Sequence, residues 1–193
     1  MVLAVSLGLS LGVAAAQAGA LDLDGHHVDP LRIQPDVRAV VLVFTSTDCP
    51  ISNRYAPEIR RLSERFEQAG VRVWLIFPNP ADGLDAVRDH VEAYNYPVRG
   101  RAGSRGIGVI TDADQTLVRL TNVTVTPEAV VFNRRGTMTY RGRIDDRYAD
   151  LGVDRGTPTT RDLEEAIAAT LAGKPVRNPM TPAVGCFIAD IRR

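Results

Sequence analysis

Apolar positions along this chain follow two alternating periods. Val40 to Phe44 is an unbroken apolar run, short and rich in β-branched residues, the pattern of a strand buried on both faces. From Ile51 onward the period lengthens. Ile51, Tyr55, Ile59, Leu62 and Phe66 recur at three- and four-residue steps and mark one face of a helix. Pro57 inside that pattern should kink it, and Gly70 is placed to stop it. Val71 to Phe77 reads as a second strand, closed by Pro78-Asn79-Pro80. Leu84, Val87, Val91 and Tyr94 predict a second amphipathic helix, with His90 expected on its surface. Ile107 to Thr111 is a third strand, Asp112-Ala113-Asp114 a turn or helix cap, and Gln115 to Thr121 a short helix. Ala129 to Asn133 and Thr137 to Ile144 form a strand pair around the tight turn Asn133-Arg134-Arg135-Gly136.

The ends of the chain are less regular. Leu21 to Gly25 and the residues after it predict a short edge hairpin, with His26 and His27 solvated. Residues 95–106 carry glycines and arginines but lead into a strand, so a solvated loop is expected rather than a phosphate cradle. Asp145 to Pro158 reads as a polar loop. Thr159 is expected to cap the last helix, with Asp162 at the capping-box position and Leu163, Ile167 and Leu171 on its apolar face. Gly173 ends that helix.

Composition bounds the picture. The 193 residues are 45% hydrophobic and 24% charged, enough for one domain with a core. Lys and Arg (23) balance Asp and Glu (23), which gives no electrostatic case for nucleic acid or an anionic membrane. Val2 to Ala16 is apolar and small, and Ala16-Gln17-Ala18 fits a small-x-small cleavage site. The domain reading is therefore a signal peptide over 1–18, a domain over 19–173 and a tail over 174–193 that carries Cys186. The mature chain is expected to have no membrane span and to be exported, periplasmic or extracellular, where two cysteines can pair.

Cys49 is the candidate for chemistry. It lies where the first long strand hands over to a helix, and Pro50 suits the first helical position. Free N–H groups at such a place stabilise a thiolate. Asp48 opposes this if its carboxylate points at the sulfur. Ser46, Thr47 and Ser52 can donate hydrogen bonds to the sulfur or to a peroxide oxygen, or can simply cap the helix. An attacked cysteine needs a partner to release product, and Cys186 is the only other cysteine. It lies in a tail with Pro175, Pro179, Pro182 and Gly185, expected to be irregular and able to move. The competing reading makes Cys186 a small buried hydrophobe beside Phe187 and Ile188.

Cys49-Pro50-Ile51-Ser52 after a central strand resembles the active-site turn of thioredoxin-fold redoxins. Ser52 stands where Cys-x-x-Cys proteins have their second cysteine. Against the Pro-x-x-x-Thr-x-x-Cys pattern of peroxiredoxins, Leu42 stands at the proline and Ser46 at the threonine, while Cys-Pro matches. Thr126-Pro127 before a buried strand resembles the cis-proline that faces the reactive cysteine in thioredoxins. With Thr126-Pro127-Glu128, Tyr140 to Asp146 and the late Gly185-Cys186, residues 36–193 resemble a peroxiredoxin-like subgroup of the alkyl hydroperoxide reductase/thiol-specific antioxidant superfamily. The resemblance implies an α/β thioredoxin-like fold, a central mixed β-sheet with helices on both faces. It implies catalytic Cys49 and Cys186, supported by Ser46, Pro50, Ser52, Thr126 and Pro127. The substrate would be a peroxide or a protein disulfide, with an external thiol reductant. By analogy alone, Arg141 or Arg143 would sit beside the sulfur, though salt bridges to Asp145 or Asp146 explain both as well.

Two other readings stay open. Cys49, Cys186 and one of His26, His27 or His90 offer Cu(I) the thiolates and imidazole of a copper-binding or delivery module. The chain can also be a redox-inert interaction domain. No cofactor motif is present, so neither a cofactor nor a resident metal is expected.

Overall fold

The computed structural model describes residues 20–100 and 105–189; the expected leader lies outside the described residues. Its centre is β2 (Ala39–Phe44), all six residues buried. Alternate residues point to opposite faces of a strand. Ala39, Val41 and Val43 accordingly join one apolar cluster, and Val40, Leu42 and Phe44 the other. β3 (Val71–Phe77) and β4 (Gly108–Thr111) extend the sheet in parallel on one side of β2. β6 (Glu128–Asn133) and β7 (Met138–Gly142) extend it antiparallel on the other. The short β1 (Leu21–Asp22) pairs antiparallel with β4, giving the order β1-β4-β3-β2-β6-β7. Leu21 also bridges to His27, which makes the edge hairpin.

Helices cover both faces of this mixed sheet. Ile59, Leu62 and Phe66 of α2 (Ala56–Glu67), Val87 and Val91 of α3 (Leu84–Ala93), and Leu163, Ala166 and Ile167 of α5 (Asp162–Leu171) bury one face. Leu117 of α4 (Thr116–Thr121), with Ala20, Val37 and Val123, buries the other. Full burial of such side chains contributes about 1.5–3 kcal/mol each. The α/β thioredoxin-like fold expected from the sequence is the fold observed.

Local chemistry explains several differences from the sequence reading. Pro57 does not kink one long helix. The chain breaks at Tyr55 into α1 (Pro50–Arg54) and α2, and Pro57 occupies the first turn of α2, where no N–H is needed. His90 is not on the surface. It packs against Phe77 with ring centroids 5.5 Å apart and against Tyr94 at 4.6 Å. Thr159 does not cap α5, whose N-cap is Arg161. Its hydroxyl and N–H instead bind the Asp146 carboxylate. The polar loop after Asp145 holds a small hairpin, β8 (Tyr148–Asp150) with β9 (Val153–Asp154). Gly106 and Gly108 make room for neighbouring protein groups: a side chain on Gly106 would overlap the Pro97 carbonyl. A side chain on Gly108 would overlap the Trp74 ring across the β3–β4 pair.

The tail also departs from expectation. Rather than hanging free, it is pinned at two places. Arg141 N–H donates to Pro179 O at 2.9 Å, and Thr181 N–H returns to Arg141 O at 3.1 Å, beside Gly142. Further on, β10 (Cys186–Phe187) pairs antiparallel with β5 (Val125–Thr126).

Candidate active site

Cys49 is fully buried at the end of β2's connection into α1, with Pro50 as the first helical residue. α1 has only five residues, so its dipole is small and individual donors matter more. The thiol donates to the Thr126 carbonyl oxygen at 3.1 Å. The Thr126–Pro127 peptide bond is cis. Thr126 is in turn the antiparallel partner of Cys186, so the strand pair delivers the second thiol to the first. The two sequence positions lie far apart, yet the Cys186 thiol comes close enough to Cys49 for each to shift the other's pKa. Both are free thiols here.

Burial alone would raise the Cys49 pKa. The Cys186 thiol, the Ser52 hydroxyl and the backbone N–H groups of Ser52 and Cys186 lie close enough to outweigh it, and hold Cys49 below the ordinary thiol value. Ser52 is itself buried, and its hydroxyl makes no hydrogen bond of regular geometry among the described residues. Cys186 shifts the other way. Burial raises it first; donation to Cys49, the Cys49 charge and the Asp48 charge add to the rise. The Asp48 carboxylate thus bears on Cys186, and the surroundings of the pair lower the Cys49 pKa while raising that of Cys186.

Ser46 does not reach the sulfur. It donates to Asp48 Oδ1 at 2.5 Å and lies 3.4 Å from Asp82 Oδ2. Thr47 donates to Asp82 as well. Asp82, buried in the loop before α3, fastens the segment that leads into Cys49, and sequence reasoning missed it. Only its proximity to the Pro78-Asn79-Pro80 break at the end of β3 offered a signal. Gln115 was also missed. Its Nε2 donates to Ala189 O at 2.6 Å and ties the tail beyond β10.

The arginines serve other ends. Arg141 pairs with Glu128 at 3.5 Å and donates to the Asn122 carbonyl at 2.7 Å. Arg143 binds Asp162 at 2.8 Å. Neither pairs with Asp145 or Asp146: Tyr55 donates to Asp145 at 2.6 Å, and Arg155 pairs with Asp146 at 3.1 Å. The triad of the alternative copper reading is not assembled either. Among the described residues, the grouped metal-type ligands are Asp22, Asp24 and His26, with neither cysteine. His90 lies among aromatic rings, and burial pushes its pKa down.

A small cavity of about 170 Å³ opens beside the pair, lined by Ser46, Asp48, Asn79, Thr126, Cys186 and Phe187 among others.

A cysteine-bearing turn facing a cis-proline loop across a β2-centred mixed sheet defines a thioredoxin-like redoxin. The chain belongs to the AhpC/TSA family, which matches residues 11–141. Family membership supports thiol redox chemistry. Among solved structures it is similar to an uncharacterized conserved protein from Geobacillus kaustophilus, at 25% identity over 92% of each chain with a TM-score of 0.73. It is also similar to a hypothetical protein from Sinorhizobium meliloti 1021, at 24% identity over 89% of this chain and 91% of that one, TM-score 0.71. A secreted Mycobacterium tuberculosis disulfide oxidoreductase homologous to E. coli DsbE shares the fold at 21% identity, over 80% of this chain and 93% of that one, TM-score 0.52. No curated protein matches. Among the described residues no helix is long and apolar enough to cross a membrane.

Proposed function

We propose that this chain is an exported thiol-dependent oxidoreductase with peroxiredoxin-like antioxidant or thiol–disulfide exchange activity, in which Cys49 is the nucleophile and Cys186 resolves it. One observation carries the reading: the β5–β10 pair sets Cys186 opposite Thr126, the residue whose carbonyl binds Cys49.

With a hydroperoxide the electrons balance as follows. The Cys49 thiolate attacks the outer oxygen of the O–O bond, which breaks. Cys49 becomes a sulfenic acid, and the alcohol leaves after taking a proton. Cys186 then attacks the sulfenic sulfur, forming the disulfide and releasing water. Two thiols of an external reductant restore the pair and become a disulfide themselves. The opposed shifts of the two thiols suit this order. While Cys49 is anionic its charge keeps the proton on Cys186; once it is a neutral sulfenic acid, that obstacle is gone. Ser52 and the Thr126–Pro127 turn position the sulfur, Ser46 holds Asp48 and the loop, and Pro50 opens α1.

Turnover of hydrogen peroxide with a dithiol reductant tests the assignment. Cys49→Ser should abolish it with the fold intact. Cys186→Ala should consume about one equivalent of peroxide and then stall. Full turnover by Cys49→Ser would overturn the proposal.

A further inference from the structure

The chain as a whole balances 23 Lys and Arg against 23 Asp and Glu, yet one cavity is lined by charge of a single sign. It lies at the end of the sheet opposite Cys49, where Arg38 leads into β2 and the turn over residues 133–136 joins β6 to β7. Its volume is about 420 Å³. Arg38, Arg134, Arg135 and Lys174 line it, and no Asp or Glu does. Among the described residues none of these four side chains pairs with a carboxylate.

Like charges gathered in one place repel each other, and a counter-ion relieves that. The local groups leave these cations free to take one. α5 ends at the cavity, and the last carbonyls of a helix ordinarily disfavour an anion. Here they are already occupied. Ala168, Ala169 and Thr170 accept the N–H groups of Ala172, Lys174 and Gly173, and Leu171 accepts the Arg38 guanidinium at 2.8 Å. That bond uses one guanidinium N–H and leaves the others. Asn133 Oδ1 accepts the Arg135 and Thr137 N–H groups at 2.9 and 3.1 Å, so Nδ2 is the donor its amide has left. The Arg134 and Arg135 side chains are exposed and make no hydrogen bond among the described residues.

We infer that this basin is a binding site for an anion carrying two linked phosphate groups. The planar guanidinium forks of Arg38, Arg134 and Arg135 suit phosphate oxygens bidentately, and Lys174 adds a compact point charge. One phosphate would leave part of this charge unmatched, and the cavity is roomier than one phosphate requires. A diphosphate meets both conditions. The same chemistry comes from a soluble diphosphate or from a lipid headgroup with two phosphates. The basin stands apart from the thiol pair, and the inference does not rest on the proposed function.

The test is titration calorimetry of the full chain with inorganic pyrophosphate at about 0.15 M salt, where loosely held surface charge is screened. Sulfate at matched ionic strength and a polyglutamate peptide are the comparisons. Pyrophosphate should bind with a dissociation constant below about 1 mM, at least tenfold tighter than either comparison. The double variant Arg134→Ser, Arg135→Ser should weaken pyrophosphate at least tenfold, and Lys174→Ser about threefold. All three side chains are exposed, and each variant is checked by circular dichroism. Wild-type binding no tighter than that of sulfate would overturn the inference even if neither variant folds, and so would polyglutamate binding more tightly than pyrophosphate. Folded variants with unchanged pyrophosphate affinity would overturn it as well. Sedimentation with vesicles of equal parts cardiolipin and phosphatidylcholine separates the two sources. Pelleting that pyrophosphate competes away assigns the phosphates to a lipid headgroup; pyrophosphate binding without pelleting assigns them to a soluble diphosphate.

Discussion

Cys186 lies directly across an antiparallel strand pair from Thr126, the residue whose carbonyl oxygen receives the Cys49 thiol at 3.1 Å. A backbone ladder therefore joins the two cysteines, and the fold itself fixes their approach. The pair is also asymmetric: its surroundings lower the Cys49 pKa and raise that of Cys186.

The pH dependence follows from that asymmetry. Cys49 is held below its ordinary thiol value. Its thiolate therefore forms at lower pH than that of a free cysteine, while the Cys186 thiolate forms only at higher pH. Absorbance at 240 nm should rise in two separated steps. In Cys186→Ala the upper step disappears and the lower one moves to higher pH, because Cys49 has lost a donor. A lower step that stays in place would show that Cys186 does not stabilise the thiolate.

Tyr55 sits at the break between α1 and α2, buried, and donates to Asp145 Oδ1 at 2.6 Å. Tyr55→Phe keeps the ring and deletes the donor, leaving that oxygen with the Arg147 N–H at 2.9 Å. A loss of about 1–2 kcal/mol is expected in urea unfolding, with no change in the slope. An unchanged midpoint would mean that water replaces the hydroxyl without cost.

Asp112 is fully buried and accepts the Leu117 and Val118 N–H groups at 3.0 and 3.1 Å, capping the start of α4. Asp112→Ala leaves those donors unpaired and should cost about 1–2 kcal/mol. Hydrogen exchange at Leu117 and Val118 should accelerate by more than it does in β2. Uniform acceleration would point to global destabilisation instead of a lost cap.

A Cys49–Cys186 disulfide would close most of the chain into one loop. The chain-entropy account gives such a bond about 4–5 kcal/mol. The oxidised protein should therefore unfold at a clearly higher urea concentration than the reduced one. Equal midpoints would mean that strain in the oxidised state offsets the entropy.

Much of this architecture was legible in the residues. The Val40–Phe44 run and the helical spacing after Ile51 carry the sheet centre and the cysteine-bearing turn, and the resemblance at Thr126-Pro127 carries the cis-proline. What escaped was set by contacts between distant segments. Nothing local shows that Gly185 must lie flat on Thr126, so the tail read as irregular. Nothing local turns His90 inward, because its partners Phe77 and Tyr96 come from other elements. Gln115 read only as the start of a short helix and Asp82 was not singled out, since their partners Ala189 and Thr47 are supplied only by the fold.

The central claim is that Cys49 and Cys186 form one redox pair. The direct measurement is mass spectrometry of the wild-type chain after one equivalent of hydrogen peroxide, alkylation of free thiols and digestion. The account predicts a disulfide-linked peptide joining Cys49 to Cys186, with neither cysteine alkylated. Sulfinic acid on Cys49 beside an alkylated Cys186 would contradict it.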